Sequence, residues 1–346
     1  MRHIIYILLL LGITTWADIP AMAQDDNNEG TGFDFGVEYT ADLQTDFHRN
    51  YNLMNLLQLR ATLPLSKAFA FEASTITLGR TKRDAVVEDQ LGFSNIDGPN
   101  TLLAPAVVGL WWHINNKHSL FAGVRNINED YFSSDAAELF VNSSPCDQPP
   151  LWANFSICDY PYASMGLHYN YDSEKIGVKA TLYNGAGYNK FWGRENAFRF
   201  CPNSDGVMLM AQGEYKHNDS HYFIGGAAHY GRLEDMEGRK VRPVAWAYAE
   251  QRLNDKLSLI GAYSRALHSG AYCTDFVGVG GKLSLSTVDL GLYADYAHFE
   301  DDEEWALEIT CQIPITDWCY IQPTLHLIKN TEIKNAVGVL RFGVEF

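Results

Sequence analysis

The last twelve residues of the chain, 335–346, alternate between apolar and polar positions and end on an aromatic residue. One parity carries Leu340, Phe342 and Phe346, whereas the other carries Arg341 and Glu345. This period of two is that of a β-strand with two different faces. A strand this apolar needs cover, which lipid supplies in a transmembrane β-barrel, where the final aromatic lies at the membrane interface. The segment therefore predicts a closing barrel strand, provided that the rest of the chain repeats the pattern.

The alternation recurs along the chain in segments of the length that a tilted spanning strand needs. In one example, Leu57, Leu59 and Leu63 alternate with Gln58 and Arg60. The pattern predicts sixteen strands, at 33–43, 53–65, 69–79, 101–114, 118–127, 162–171, 176–186, 206–216, 220–231, 243–253, 256–268, 276–286, 288–299, 304–314, 318–329 and 335–346.

The predicted connectors alternate in length. Short ones lie at 66–68, 115–117, 172–175, 217–219, 254–255 and 315–317, and long ones at 80–100, 128–161, 187–205 and 232–242. Two outer connectors, 300–303 and 330–334, are also short and depart from this alternation. With the N-terminus in the periplasm, the short turns lie in the periplasm and the long loops outside, as in outer-membrane barrels. The fold class predicted is all-β, a transmembrane antiparallel barrel of about 16 strands. A soluble β-sandwich or propeller is the alternative, and it would bury the apolar parity between protein layers.

The first 23 residues have a basic start, an apolar run from Ile4 to Ile13 and an Ala-x-Ala-like end at Ala21–Ala23. We interpret residues 1–23 as a signal peptide and 24–346 as a single barrel domain, with a retained anchor as the alternative. The net charge of −16 argues against nucleic acid as a partner, and the aromatic fraction of 13% suits interfacial belts. The expected location is the outer membrane of a Gram-negative bacterium, with its lipid as a partner.

Six cysteines in an exported chain favour disulfides over a metal site. Cys146 and Cys158 share the loop at 128–161 and are expected to pair. Cys201 and Cys273 fall on the same predicted side, and a hairpin turn would set Cys311 opposite Cys319. Free or differently paired thiols are the alternative.

A barrel of this strand count encloses an aqueous lumen, so function depends on the side chains that line it. The inward parity supplies Arg60, Arg125 and Arg341 among other charges of both signs, and the loop at 128–161 supplies Glu129 and Asp130. Mixed charge favours polar, hydroxylated solutes, although the same charges could merely pair with one another. The loop could fold inward as a constriction or lie outside as a cap.

The segment 183–194 is rich in Asn, Gly and aromatic residues and contains Trp192 and Arg194. Sugars stack on aromatic rings while their hydroxyls bond to amides and guanidinium groups, so these two residues are candidate solute contacts. An interfacial aromatic belt with glycine turns is the alternative.

Several short motifs resemble one family. The segments 126–132 and 139–144 resemble the approach to the constriction loop of the carbohydrate-selective porins of the OprB type, and 183–189 resembles that family's Tyr-Asn-Gly stretch. The end of the chain, from Ile315-Thr316-Asp317-Trp318 onward, resembles its final hairpin. The resemblance implies a sixteen-stranded outer-membrane channel for sugars. The six cysteines and the short N-terminal extension depart from the family.

The function expected is passive diffusion of small polar solutes, foremost carbohydrates, with a general or ion-selective porin lacking a sugar site as the alternative. No Gly-x-Ser-x-Gly, no His-Glu-x-x-His and no metal-ligand spacing is present, so we expect neither enzymatic activity nor a cofactor or metal. An adhesion or assembly barrel would lack an open pore and stays possible at this point. A homotrimer is a further expectation.

Overall fold

The structure, a computed structural model, describes residues 32–231 and 238–346. The predicted signal peptide at 1–23 and most of the long connector at 232–242 lie outside the described residues. The strands are β1 Asp34–Thr45, β2 Tyr51–Pro64, β3 Phe69–Arg80, β4 Thr101–His113, β5 His118–Arg125, β6 Ser164–Asp172, β7 Ile176–Asn184, β8 Val207–His217, β9 Ser220–Gly231, β10 Lys240–Asn254, β11 Leu257–Ala266, β12 Cys273–Ser284, β13 Asp289–Phe299, β14 Glu303–Thr316, β15 Cys319–Lys329 and β16 Lys334–Glu345.

These strands close into one antiparallel barrel in which every strand pairs with its sequence neighbours. Closure joins β1 to β16, with Glu38 opposite Glu345 and Thr45 opposite Gly338. The predicted sixteen-stranded barrel is therefore confirmed, including the closing strand near the chain end. All strand bounds lie within three residues of the predicted ones.

The barrel inverts the usual relation between polarity and exposure. Large apolar side chains on the outward parity are exposed, including Leu110, Leu167, Leu209, Ile224, Leu292, Ile309 and Leu340. Polar side chains on the inward parity are buried, including Asp42, Gln58, His168, Thr181, Glu250, Glu308, Gln322 and Arg341. The apolar parity is thus not packed between protein layers in the described residues, contrary to what a soluble sandwich requires. Exposed apolar side chains around a closed barrel suit a lipid environment.

Aromatic side chains lie at both rims of the barrel. Trp318 and Phe346 stack at the end that carries the short turns, with ring centroids 5.2 Å apart. Tyr296 and Trp305 pack at the opposite end, with centroids 4.4 Å apart. Such girdles place amphipathic rings at the two water–lipid interfaces.

Two of the long connectors begin and end at the rim opposite the short turns but contain many buried residues. We name them inner loop 1, residues 81–100, and inner loop 2, residues 126–163. Inner loop 2 contains 3-10 turns at Ile127–Glu129, Ala137–Leu139 and Ser144–Cys146 and a short helix at Pro149–Trp152. No helix among the described residues has the length and apolar character needed to span a membrane.

A charge on the lipid-facing parity should destabilise the barrel more than one facing the lumen. Ile309 lies at the centre of β14 and is 47% exposed on the outward side. We expect Ile309→Arg to reduce the free energy of unfolding in phospholipid vesicles by about 2–4 kcal/mol. Gln312→Arg, on the inward parity of the same strand, is the control and should cost much less. Equal losses of unfolding free energy in both variants would contradict the assignment of Ile309 to the lipid-facing side and of Gln312 to the lumen-facing side.

Candidate functional site

Inner loop 2 is held against the barrel wall by inward-facing carboxylates. Glu308, at the centre of β14, accepts hydrogen bonds from the backbone N–H groups of Val141 and Asn142 at 2.8 and 2.9 Å. Asp295 accepts from the Asn142 amide at 2.9 Å and from the Ser144 hydroxyl. Because Glu308 lies midway along its strand, these contacts bring the loop deep into the barrel.

Two further contacts attach the same loop to other strands. Glu250 on β10 accepts from the Ala136 N–H at 2.9 Å, and Gln322 on β15 donates to the Leu139 carbonyl at 2.6 Å. Since β10 and β15 are widely separated around the barrel, the loop crosses the lumen instead of following one stretch of wall.

Inner loop 1 is attached in the same way. Glu304 on β14 accepts from the N–H groups of Gln90 and Leu91 at 3.0 and 2.9 Å, and the Ser94 hydroxyl donates to Asp42 at 3.0 Å. The two inner loops also bond to each other, because the Asn95 N–H donates to the Val141 carbonyl at 2.7 Å. The connector at 80–100 was predicted as a long outer loop, and its insertion into the barrel was not predicted. Its apolar residues were the available signal for burial: Val86, Val87, Leu91, Phe93 and Ile96.

Arg125 lies where β5 passes into inner loop 2 and forms a buried ion-pair cluster. Its Nε and Nη2 donate to the two oxygens of Asp130 at 2.5 and 2.9 Å, and its Nη1 donates to Glu72 at 2.9 Å. The Trp111 indole N–H also donates to Glu72, at 2.6 Å, and the guanidinium lies over the rings of Trp111 and Phe121.

This cluster fixes the start of inner loop 2. Burial alone would raise the pKa of Asp130, but the Arg125 guanidinium outweighs it and holds that pKa below its usual range. Lys179 on β7 donates to the backbone carbonyl of Asp130 at 2.5 Å. Because the guanidinium of Arg125 is already engaged by two carboxylates, we assign Arg125 and Asp130 to holding the loop.

Arg341 forms a second buried anchor. Its Nε and Nη2 donate to both oxygens of Asp42 at 2.8 Å, and Nη2 also donates to Asn95 of inner loop 1 at 2.7 Å. Bidentate pairing of this kind is strong and geometrically specific. Arg341 thus joins the β1–β16 seam to inner loop 1.

Arg60 and Glu38 remain accessible on the inward parity. Their side chains are 55% and 39% exposed, and Arg60 Nη2 lies 3.8 Å from Glu38 Oε2. Glu129 of inner loop 2 lies nearby. Burial raises the pKa of its carboxyl, and the positive charges of Arg60 and Arg125 offset only part of this increase. The structure therefore brings four candidates, Arg60, Arg125, Glu129 and Asp130, into one region.

Trp192 and Arg194 lie elsewhere, in the connector at 185–206. Trp192 is 80% exposed, and Arg194 is exposed, with its carbonyl accepting from Arg199 at 3.0 Å. The structure does not bring these two residues to the Arg60 region. The aromatic side chains that do line the interior include Tyr131, Phe132, Phe223, Trp246 and Tyr248. Phe223 on β9 and Trp246 and Tyr248 on β10 could be recognised from the sequence only because they lie on the inward parity of their strands, as Glu250 does.

The expected disulfides are not formed, because all six cysteines are free thiols. In inner loop 2 the residues after Cys146 and Cys158, Asp147 and Asp159, meet through their carboxyl groups instead. At the last short turn the register sets Cys319 opposite Thr316, so Cys311 lies farther along β14 and cannot face it. Cys201 and Cys273 are likewise unpaired.

The fold is similar to those of solved porins. The high-pH structure of OprB from Pseudomonas putida matches with a TM-score of 0.78 and 15% identity, over 91% of this chain and 94% of that chain. A triple mutant of the porin from Rhodopseudomonas blastica matches with a TM-score of 0.57 and 10% identity, over 91% of this chain and all of that chain (100%). The chain has a porin fold.

The resemblance seen in the sequence motifs is thus confirmed at the level of the fold. No family model matches the chain, and no curated protein does.

Removing the Glu308 carboxylate from this porin fold should loosen inner loop 2. Glu308→Ala leaves the N–H groups of Val141 and Asn142 without their acceptor, and a buried donor left without a partner costs about 1–3 kcal/mol. We expect larger and noisier single-channel currents in planar bilayers. Glu332→Ala, in an exposed turn, is the control. Currents in Glu308→Ala that equal those of the unmodified protein would contradict the anchoring role.

The carboxyl pair in inner loop 2 should make loop closure depend on pH. Burial raises the pKa of Asp159 to about 6. The pKa of Asp147 is raised well above its usual range, mainly by burial and also by the neighbouring Asp159 carboxyl. Both values exceed the ordinary carboxyl pKa of about 3.9 that a released loop would show. The stabilisation of the closed loop is therefore complete below that value and is lost as the pH rises through about 6 and beyond.

The matching measurement is single-channel noise between pH 4 and pH 9. We expect the noise to increase above a pH of about 6 in the unmodified protein. Asp147→Asn should flatten this profile, because an amide can donate to Asp159 without losing a proton. Asp84→Asn, an exposed position in inner loop 1, should leave the profile unchanged. An identical profile in Asp147→Asn would exclude the pair as its cause.

Proposed function

We propose that this protein is a porin of the outer membrane of a Gram-negative bacterium, through which small polar solutes, carbohydrates in particular, diffuse passively. The observation that carries the proposal is the combination of an apolar outer surface with a polar inner wall that two inner loops narrow. The similarity of the fold to OprB and to the Rhodopseudomonas porin supports the same conclusion. In this proposal the short turns face the periplasm.

Inner loop 2 acts in this proposal as the constriction. Its bonds to β10, β14 and β15 hold it across the lumen, so a solute must pass beside it. The accessible charges of Arg60 and Glu38 then lie on the solute's route. Adjacent groups of opposite sign can exchange hydrogen bonds with successive hydroxyls, which replaces part of the hydration of a sugar as it moves.

The proposal includes no chemical step and no resident cofactor. Among the described residues, no group of three or more His, Cys, Asp or Glu side chains could hold a metal ion. Lipid is the partner of the outer surface, and sugars are the proposed partners of the lumen. Export through a signal peptide at 1–23 and assembly as a homotrimer belong to the same proposal.

Reconstitution tests the function. We expect the protein to conduct ions in planar bilayers and to let liposomes swell in isosmotic glucose, and we expect added glucose to reduce the ion current at saturating levels. Ion conductance without block by glucose, together with swelling rates that depend only on the size of the solute, would favour the general porin instead. A protein that inserts but neither conducts nor admits glucose would contradict the proposal and favour an adhesion or assembly role.

Charge selectivity should depend on Arg60. Arg60→Ala removes a half-exposed cation beside Glu38 and Glu129, so the lumen becomes more negative there. We expect the reversal potential in a KCl gradient to shift toward cation selectivity, and Arg60→Lys to restore most of the original value. Arg49→Ala, in the exposed β1–β2 turn, is the control. An unchanged reversal potential in Arg60→Ala would remove Arg60 from the solute route.

A further inference from the structure

A polar cavity of about 240 Å³ lies in the inner wall, away from the Arg60 region. It is formed by the inward parities of β6, β7 and β8, near the rim that carries the short turns. The side chains that line it are Asn170, Asp172, Lys179, Gln212, Glu214 and Lys216. Lys179 connects the cavity to inner loop 2, because its ammonium donates to the Asp130 carbonyl.

The space exists because β7 has a glycine in the cavity wall. A Cβ at Gly177 would lie 2.6 Å from Glu214 Oε2, so any larger residue would displace that carboxylate. Glu214 is positioned from its other side by His221, whose Nδ1 lies 2.6 Å from Oε1. The second carboxylate oxygen therefore faces the cavity.

The groups around the cavity keep unused hydrogen-bonding capacity. Lys179 has three N–H donors and uses one on Asp130, and Lys216 uses one on Asp172 at 2.5 Å. The Asn170 amide makes no side-chain hydrogen bond within the described residues. Donors and acceptors thus alternate around one small volume.

The charge of the cavity is balanced. Two lysines, Lys179 and Lys216, face two carboxylates, Asp172 and Glu214, with Lys216 also 3.7 Å from Glu214. The two carboxylates would repel a bound anion and the two lysines would repel a bound cation, so neither kind of ion is attracted overall. A neutral ligand whose groups both donate and accept uses all of these side chains, and a hydroxyl is such a group.

An aromatic pair lies on the two strands that follow the cavity wall, β9 and β10, outside the lining of the cavity itself. Phe223 on β9 is paired in register with Glu214, and its ring stacks on Tyr248 with centroids 4.1 Å apart. Phe223 is only partly buried, so its ring offers an apolar surface beside the polar groups. Apolar surface with a few convergent polar groups is the usual composition of a small-molecule site.

We propose that this cavity is a binding subsite for a neutral, polyhydroxylated solute of about the size of a monosaccharide, reached after the solute has passed inner loop 2. Hydroxyls of the solute bond to the Asn170 amide, to the remaining N–H donors of Lys179 and to Glu214 Oε2, and the carbon face of the ring lies toward Phe223. The proposal deepens the proposed function and rests on it. It adds a second place along the route at which a sugar pauses.

The experiment measures the glucose concentration that half-blocks the ion current through reconstituted protein. Asn170→Ala removes an amide that has no side-chain hydrogen bond within residues 32–231 and 238–346, so none of the bonds described there is lost. We expect that concentration to rise about three- to tenfold, the equivalent of one or two hydrogen bonds, when the block is expressed relative to each variant's own sugar-free conductance. Glu214→Gln is the second variant and should weaken block by glucose while allowing relatively more block by gluconate, an anion.

Gln312→Ala is the matched control, because Gln312 is an inward-facing, partly exposed amide of β14, far around the barrel from β7. Weaker glucose block in Asn170→Ala with unchanged block in Gln312→Ala supports the subsite. Glucose block that is equal in the unmodified protein, Asn170→Ala and Glu214→Gln overturns the subsite and leaves the proposed function standing. If the unmodified protein neither admits glucose nor is blocked by it, the proposed function fails, and the subsite with it.

Discussion

The structure depends on hydrogen bonds between carboxylates of the barrel wall and backbone N–H groups of the inner loops. Glu304 and Glu308 each accept two such bonds, and Glu250 accepts one. A buried carboxylate is costly unless donors surround it, and a buried N–H group is costly unless it finds an acceptor. Each partner supplies what the other needs, so neither the polar wall nor the irregular loops could be buried in this barrel alone.

This arrangement divides the charged residues of the interior into two sets. Arg125, Asp130 and Arg341 are buried in bidentate pairs and hold the inner loops in place. Arg60 and Glu38 are accessible and lie 3.8 Å apart, and Lys179 in the cavity on β6 to β8 has N–H donors beyond the one it gives to Asp130. The first set holds the inner loops, and in the proposed function the second set meets the solute. A mixed-charge lumen therefore does not imply that every charge in it contacts a solute.

The fold could be predicted from the sequence because lipid and water impose a period of two on every strand. That period gave the number of strands, their facing and the rhythm of short and long connectors, all of which follow from local sequence. The inner loops could be predicted only in part. Arg125 and Asp130 are five residues apart and close to a strand end, so their proximity was foreseeable.

The remaining contacts depend on register and on how far a loop enters the barrel. Asp42 and Arg341 are 299 residues apart and meet only because β1 closes on β16. The apolar residues of inner loop 1 favour burial, but they do not say where the loop is held, because its acceptor Glu304 lies more than 200 residues away in sequence. Trp192 has the residue type of a sugar contact, but its loop does not enter the lumen region that holds Arg60. The disulfides failed as predictions because cysteine spacing does not determine which side chains meet.

The most direct test of the central claim is hydrogen–deuterium exchange of the backbone amides in the reconstituted protein. The account predicts that the N–H groups of Gln90, Leu91, Val141 and Asn142 are protected as strongly as those of the barrel strands, since each donates to a buried carboxylate. Exchange of these four amides as fast as in the exposed segment around Trp192 would show that the loops are not held inside the barrel, and would contradict the account.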